Sequence, residues 1–527
     1  MTFKIIDLFA GPGGLGEGFS AYKNSDGDSP FRIKLSIEKD ESAHRTLQLR
    51  AFYRQFKDGE APNSYYEYLS GLLGKNPEDA LYKGTKYRKQ VQNATEEAKQ
   101  FTLGKDNTNI NHAIREALGK CPGNWVLIGG PPCQAYSVAG RSKNRSLKGY
   151  TAEKDHRNYL YREYLKVISK FRPAIFVMEN VKGMLSAKVD GESIFPTILK
   201  DLSCPSRSLS TNDSRITYEL FSFVEREPEK FMFEDALEPS DFVIKSESYG
   251  IPQSRHRVIL LGIRSDIAKN TGPSFLTLTP SPTVKDVICD LTPLRSGLSR
   301  ERDDLSKWKD AILEDSMKIL REVEKKGLSK VSEKMIKALK KIERTKIGRG
   351  SPWANNAQTC LSKKISKGLR EWYSDPAGWK GICNHESRSH MTSDLQRYLF
   401  CAAYGLASGK KERRSPTADK FPKVLIPNHA NWHSGHFEDR FRVQIADKFA
   451  TTITSHIAKD GHYFIHYDPS QCRSLTVREA ARIQTFPDNY FFVGHRTQQY
   501  TQVGNAVPPY LAKQIAGIIY KIIEKQN

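Results

Sequence analysis

Short apolar runs alternate with helical patterns along the first half of the chain. The runs are Phe3-Lys-Ile-Ile-Asp-Leu-Phe9, Ile33-Lys-Leu-Ser-Ile37, Trp125-Val-Leu-Ile128 and Ile175-Phe-Val-Met178, and such alternation predicts the strands of a parallel α/β sheet. Between the last two, Leu160, Tyr164, Leu165, Ile168 and Phe171 fall on one helical stripe that Pro173 ends, so a helix is expected to pack on that sheet. Arg257-Val-Ile-Leu-Leu-Gly-Ile263 reads as a late strand of the same sheet. Residues 51–110 lose this periodicity and read as an insertion of loops and short helices. After about residue 270 the sequence turns Lys-rich and weakly apolar, and a domain boundary is expected there. Met317 to Arg349 carries many lysines on a helix-like pattern (Ile319, Leu320, Val323, Met335, Ile336, Leu339, Ile342). A solvated helical hairpin with a basic outer face accounts for it more simply than a DNA-gripping surface.

Hydrophobic content of 38% and charged content of 27% over 527 residues are ordinary for a globular chain, and no apolar run is long enough to span a membrane. The opening MTFKIIDLFAG lacks the parts of a secretory signal, which predicts a cytoplasmic protein. Eight dispersed cysteines include no CxxC pair, so neither a zinc site nor a redox dithiol is expected, and no metal. Charge changes the picture most. With 82 Lys+Arg against 60 Asp+Glu the formal net charge is +22, which favours a polyanionic partner and nucleic acid first.

Several blocks carry candidate chemistry at the ends of the predicted strands. Asp7-Leu-Phe-Ala-Gly-Pro-Gly-Gly14 sets a glycine-rich turn between a strand and a helix; glycines there let a ligand approach the backbone, although a tight bend alone would also use them. Ile37-Glu-Lys-Asp40 puts a carboxylate at the second strand's end, where an acid can bind ribose hydroxyls, and Glu38 is the better candidate of the two acids. In Gly129-Gly-Pro-Pro-Cys133, the two prolines prevent a continuing central strand and carry Cys133 out at the sheet's carboxyl edge. A thiol so placed is suited to attack. Met178-Glu-Asn-Val-Lys-Gly183 brings Glu179 to the same edge as an acid that can protonate or hydrogen-bond a ring to which the thiol adds. Gln253-Ser-Arg-His-Arg257 offers arginines to orient a polar base or phosphate, with surface salt bridging as the alternative. Thr476-Val-Arg-Glu479 is a capping-box pattern and is read as structural. Gln502-Val-Gly-Asn-Ala-Val-Pro-Pro509 opens a final apolar helix through Leu511, Ile515, Ile518, Ile519 and Ile522.

Taken in order, DLFAGPGG, IEKD, GGPPCQAYS, MENVKG, QSRHR, TVREAARIQTFPD and QVGNAVPP resemble the cytosine-5 DNA methyltransferases of bacterial restriction-modification systems. The resemblance covers about the first 265 and the last 60 residues. It implies an α/β fold with a mixed, Rossmann-like sheet that binds S-adenosyl-L-methionine, plus a smaller target-recognition domain. The expected limits are 1–265 for the catalytic domain, with the insertion at about 51–110, 266–495 for target recognition, and 496–527 for a C-terminal segment returning to the first domain.

By the same resemblance Cys133 attacks C6 of a flipped cytosine, Glu179 contacts N3 and its exocyclic neighbour, and Arg257 and Arg255 hold the base and its backbone. Pro132, Gln134, Ser137, Arg141 and Gln253 match contacts to the base or DNA. Phe9, Ala10, Gly11, Gly13, Gly14, Glu38, Asn505, Ala506 and Val507 match the methyl-donor pocket, and Asp106 stands for the acid expected near the third strand. Two positions depart from the pattern: Lys39 replaces a bulky apolar residue, and the insertion leaves the third-strand acid without a clean equivalent. The loop after Cys133 is expected to close on DNA through Arg141, Lys143, Arg145 and Lys148. The partner implied is double-stranded DNA, bound by a monomer acting on the nucleoid, with a cognate endonuclease reading the same site without a stable complex. A transfer-RNA cytosine-5 methyltransferase and a catalytically silent DNA-binding protein are the competing readings. The sequence does not yield the recognised DNA site.

Overall fold

The computed structural model describes residues 2–83, 86–120, 123–132, 158–189, 192–209, 216–225, 238–269, 274–356, 361–408, 415–428, 432 and 440–525. The chain forms two compact units, one of Met1–Lys57, Tyr82–Pro280 and Ala506–Asn527, the other of Asp58–Leu81 and Ser281–Asn505. No described helix is long and apolar enough to cross a membrane.

The first unit is built on an eight-stranded sheet. Its strands are β1 Phe3–Leu8, β2 Phe31–Glu38, β3 Ala98–Gln100, β4 Val126–Gly129, β5 Ile175–Val181, β6 Tyr218–Phe221, β7 Val243–Lys245 and β8 His256–Arg264. They lie in the order β3-β2-β1-β4-β5-β8-β6, and β7 also pairs with β8. The first five run parallel, whereas β8 is antiparallel to β5 and to both β6 and β7.

Residues along the central strands alternate between two apolar layers, as the two-residue repeat of a strand requires. Ile5, Ile33, Val126, Ile128, Val177 and Ile259 belong to one core; Ile6, Leu8, Leu35, Leu127, Phe176, Met178 and Leu260 belong to the other. Helices α1 Gly14–Ser20, α2 Glu41–Tyr53, α3 Asn107–Leu118 and α4 Asn158–Phe171 follow the strands. Tyr164, Leu165 and Ile168 of α4 are buried on the second core, as the stripe in the sequence predicts. The first core is closed by the chain's last helix, Pro509–Glu524, through Leu511, Ala512, Ile515, Ile518, Ile519 and Ile522. The approach to α1 is close: a β-carbon on Gly18 would stand 2.4 Å from the carbonyl oxygen of Pro509.

Three strands escape the sequence reading. β3 is only Ala-Lys-Gln, and β6 and β7 are four and three residues long; strands this short show no alternation to detect. The first unit also extends to Pro280, past the boundary expected near 265, because Leu276 donates its N–H to Phe223 O at 2.8 Å and Thr279 to Ser248 O at 2.8 Å. It resumes at Ala506, whereas residues 58–81 of the insertion belong to the second unit.

The second unit is mainly helical and irregular. Its longer helices are α5 Leu305–Leu313, α6 Ser316–Lys325, α7 Ser329–Arg344 and α8 Thr392–Ala407, followed by α9 Val477–Ile483 and α10 Arg496–Asn505. Trp308, Val323, Met335, Ile342, Leu395, Tyr398, Phe400 and Phe441 share one apolar core. A second kind of interior surrounds α9. Thr476 and Glu479 form the capping box that the sequence predicts, Thr476 Oγ1 accepting from Glu479 N at 3.1 Å and Glu479 Oε2 from Thr476 N at 2.7 Å. Arg473 meets both Glu479 oxygens at 2.7 Å, and Arg482 meets Asp488 at 2.8 Å and Asp290 at 2.6 Å. Arg478 donates to the carbonyls of Cys383 and Pro487, each at 2.8 Å. All three arginines are at most 1% exposed. Burial alone would raise the Glu479 carboxyl, but the Arg473 charge and hydrogen bonds prevail and hold it far below the ordinary range.

Candidate active site

Register explains why distant blocks of sequence meet. One row of paired residues crosses the sheet of the first unit: Lys99, Ile37, Leu8, Gly129, Met178 and Leu260. One step further toward the carboxyl ends come Gln100, Glu38, Phe9, Gly130 and Glu179. Four of the seven sequence blocks therefore reach a single edge, at the point where β2 and β4 flank β1. In open α/β sheets ligands bind at such a reversal of strand order.

On the β1 side the chain turns sharply. Phe9 has a left-handed φ of 57°, and Gly13, with φ of 94°, begins α1. Ala10 donates its N–H to Ile37 O at 3.1 Å, and Gly11 donates to Glu38 Oε2 at 2.9 Å. The other Glu38 oxygen accepts from Lys39 N at 2.9 Å and Asp40 N at 2.8 Å. Three of the roughly four acceptor positions of this carboxylate are thus used on backbone, which fixes its orientation and leaves capacity for a hydroxyl. Val507 closes over the turn, since a β-carbon on Gly14 would lie 2.2 Å from its carbonyl oxygen. Ala506 and Val507 are buried in this unit. Asn505 ends α10 of the second unit and is exposed.

Beneath the turn lies Asp7, fully buried, with neither carboxylate oxygen in a hydrogen bond of normal geometry. Burial is the main reason its pKa is raised to about 8; the Arg54 guanidinium pulls it back only partly. An acid in a strand buried on both faces is a signal that the sequence offered and the reading of motifs passed over. Next to it Glu17 pairs with Arg50, its Oε2 accepting from Arg50 Nε at 2.9 Å. The glycine turn and the backbone-held Glu38 carboxylate together suit a ligand that carries ribose hydroxyls.

Asp106 follows the end of β3 by six residues, in the segment that leads from the strand's carboxyl end into α3. It precedes α3, where its Oδ2 accepts the N–H of Thr102 at 2.7 Å. Gln100 is the residue that ends β3 beside Glu38, and no motif in the sequence marks it.

On the β4 and β5 side, Glu179 Oε1 meets Arg257 Nε at 2.9 Å. Gly130 passes so near that a β-carbon there would stand 2.9 Å from Glu179 Oε2, so a larger residue would displace the carboxylate. Asn180 donates from Nδ2 to the carbonyl of Pro131 at 3.2 Å, and its Oδ1 accepts Val181 N at 2.8 Å. The end of β5 thereby holds the chain that leads through Pro132, a half-buried residue. Arg255 is buried; desolvation, then the Arg257 charge, push its guanidinium pKa down, and Glu179 opposes both. Arg257 is lowered by burial and sustained by Glu179. Gln253 is fully buried two residues before Arg255. Cys133, Gln134, Ser137 and Arg141, with Lys143, Arg145 and Lys148, lie outside the described residues. Among the described residues no group of three or more His, Cys, Asp or Glu side chains is placed to hold a metal ion.

Comparison with known proteins follows the same lines. The family described as C-5 cytosine-specific DNA methylase matches residues 85–204 and 240–521. The type II methyltransferase M.Bpa9945I of Bacillus paralicheniformis is 30% identical over 98% of this chain and 99% of its own length. The type II methyltransferase M.AgeI of Thalassovita gelatinovora is 25% identical over 98% of this chain and 99% of its own. A crystal structure described as that of a DNA modification methyltransferase encoded within an E. coli prophage superposes with a TM-score of 0.52 at 17% identity, covering 99% of this chain and 100% of that one. This last likeness concerns the fold.

Proposed function

From the premise that this chain belongs to the C-5 cytosine-specific DNA methylases and is a DNA (cytosine-5-)-methyltransferase, we propose the roles of its residues and the setting in which it works. The observation that carries the assignment is the Glu179–Arg257 pair at 2.9 Å beside Gly130, on the sheet edge from which Pro131 and Pro132 lead to Cys133.

Cys133 is the nucleophile: its thiolate adds to C6 of the target cytosine and leaves C5 electron-rich. Glu179 hydrogen-bonds N3 and the neighbouring exocyclic group as the ring takes up that electron pair. Arg257 orients Glu179, and with Arg255 it offsets negative charge from the base and its phosphate. Asn180 sets the position of the Pro131 carbonyl and so the start of the nucleophile's loop. Phe9, Ala10, Gly11, Gly13, Gly14, Glu38, Asp106, Ala506 and Val507 hold S-adenosyl-L-methionine, and Asn505, next to Ala506 in the chain, is assigned with them. Gln100 ends the third strand beside Glu38. The bound donor supplies an electrophilic methyl group at C5. Loss of the C5 proton and departure of the Cys133 sulfur then restore the aromatic ring.

A cytosine stacked in a duplex cannot reach a thiol in such a loop, so the base must leave the helix, at a cost of a few kcal/mol. Pro132, Gln134, Ser137, Arg141 and Gln253 line or support the pocket that receives it. The part of the chain that reads the target sequence lies within residues 266–495. The names of the relatives favour a role as the modification enzyme of a restriction-modification system, acting as a cytoplasmic monomer on the same site as a separate endonuclease.

Bisulfite sequencing of DNA from cells expressing the protein tests this reading. New 5-methylcytosine at one recurring sequence is expected, with none in cells expressing Cys133→Ser. Methyl transfer to transfer RNA and not to duplex DNA would instead select the RNA enzyme.

A further inference from the structure

Helix α7 presents two faces of opposite chemistry. Val331, Met335, Ala338, Leu339 and Ile342 are buried in the core of the second unit, which clamps the helix along its length. The opposite face carries Lys330, Lys334, Lys337, Lys340 and Arg344. Four of these are exposed and Lys334 is half-buried. Apart from Lys340, which lies beside Lys341, they follow spacings of four, three and seven residues, so they form one row over about four turns. From Lys330 to Arg344 the row is about 21 Å long at 1.5 Å per residue.

An isolated run of like charges repels itself and is normally laced with acids at the neighbouring helical positions. Here Glu333 and Glu343 stand at neighbouring positions of α7, and Lys341 is paired, with Asp468 Oδ2 at 3.1 Å. Among the described residues none of the other five has an acidic partner within ion-pair distance. The nearby cleft formed by Lys340, Lys341, Arg344 and Thr345 is lined by three cations and no acid.

We infer that this face of α7 is a rail for the phosphates of duplex DNA, sequence-independent and separate from the reading of bases. Charge complementarity commits it to that occupant: a duplex carries one negative charge per ~1.7 Å of axis, on the order of twelve along a row of this length. A rail differs from a flexible basic tail because its helix is fixed by a buried apolar stripe, so the cations are held apart at nearly constant spacing before DNA arrives. Neutralising phosphates there releases condensed counterions, and each contact steepens the salt dependence of binding by about 0.9 in log–log slope. This inference rests on duplex DNA being the substrate.

The test is duplex binding by the full chain across a salt series, with the quadruple variant Lys330→Gln, Lys334→Gln, Lys337→Gln and Lys340→Gln. The expected slope is shallower by about three to four units. The loss should be equal on target and non-target duplexes. The corresponding four Lys→Arg changes should restore the slope. An unchanged slope overturns the inference, as does a loss confined to the target duplex, which would mean base reading. Tighter binding of the wild type to anionic vesicles than to duplex, lost in the Gln variant, also overturns it by making a membrane the occupant. Failure of the wild type to methylate any duplex is a different result and strikes the proposed function; the slopes still decide whether the rail binds DNA.

Discussion

The two units solve the problem of an interior in opposite ways. The sheet unit buries apolar side chains on both faces and scatters its buried charges singly or in pairs, among them Asp7, the Glu17–Arg50 pair, Glu97 and Arg255. The helical unit places Arg473, Arg478 and Arg482 around one seven-residue helix and satisfies them with Glu479, Asp488, Asp290 and carbonyls. An apolar interior tolerates the unpaired acid of a binding site because the surrounding packing holds it. A polar interior tolerates no vacancy, since each charge is stable only through its partner.

The largest effect expected is on chemistry. Cys133→Ser should lower methyl transfer by at least about 10⁴-fold, as loss of a nucleophile does elsewhere, and Glu179→Gln by about 10²–10⁴-fold. Cys133→Ser should leave urea unfolding unchanged, which separates the site from the fold in the sheet unit, whereas Glu179→Gln also weakens the pairing of Arg257. In the helical unit the reverse is expected: Glu479→Ala strands Arg473 and should cost about 3–5 kcal/mol by urea denaturation. A cost below about 1 kcal/mol would dissolve the contrast between the two interiors.

Acid and base should also discriminate between the units. His385 and His466, in the helical unit, are held neutral by burial, each with its pKa down to about 4 from 6.5. The unfolded chain gains these protons below pH 6.5 and the folded chain only near 4, so stability is full above 6.5 and falls as pH drops between those values. The combined loss should be about 2 kcal/mol or more, read as the urea midpoint against pH. His385→Gln should flatten that fall. Asp7 gives the opposite sign. Its folded pKa of about 8 lies above the ordinary aspartate value of 3.8, so its share of stability is present at low pH and is lost as pH rises toward 8. Asp7→Asn should therefore raise the melting temperature at pH 9 by a few degrees while changing little at pH 5. An equal shift at both values would assign the effect to packing instead of charge.

Much of the first unit was legible because strands β1, β2, β4, β5 and β8 are long enough to show apolar runs, and because capping chemistry is local: Thr476 and Glu479 announce their helix within four residues. The site was legible where a motif sits at a strand end, as for Glu38, Phe9 and Glu179. Three things were hidden. Gln100 ends a three-residue strand without apolar pattern. Asn180 acts through a single hydrogen bond to Pro131, across 49 residues of chain. The arginine network of the second unit joins Arg482 to Asp290, 192 residues apart, and charge pairs at that separation leave no spacing to read. The placement of 58–81 with the second unit has the same cause: Tyr65 donates its hydroxyl proton to Asn489 O at 3.1 Å.

The close fit of α1 to the final helix has a consequence in time. Gly14 meets Val507 and Gly18 meets Pro509 and Ala512, partners that a ribosome adding about 5–20 residues per second makes roughly half a minute to a minute and a half later. Until then one apolar layer of the sheet has no cover, and the glycine turn after β1 lacks its roof. Everything between, the whole helical unit included, is synthesised while the first unit waits. The glycine turn is therefore the last part of the sheet unit to be closed, and a chain cut short before Val507 would leave it open.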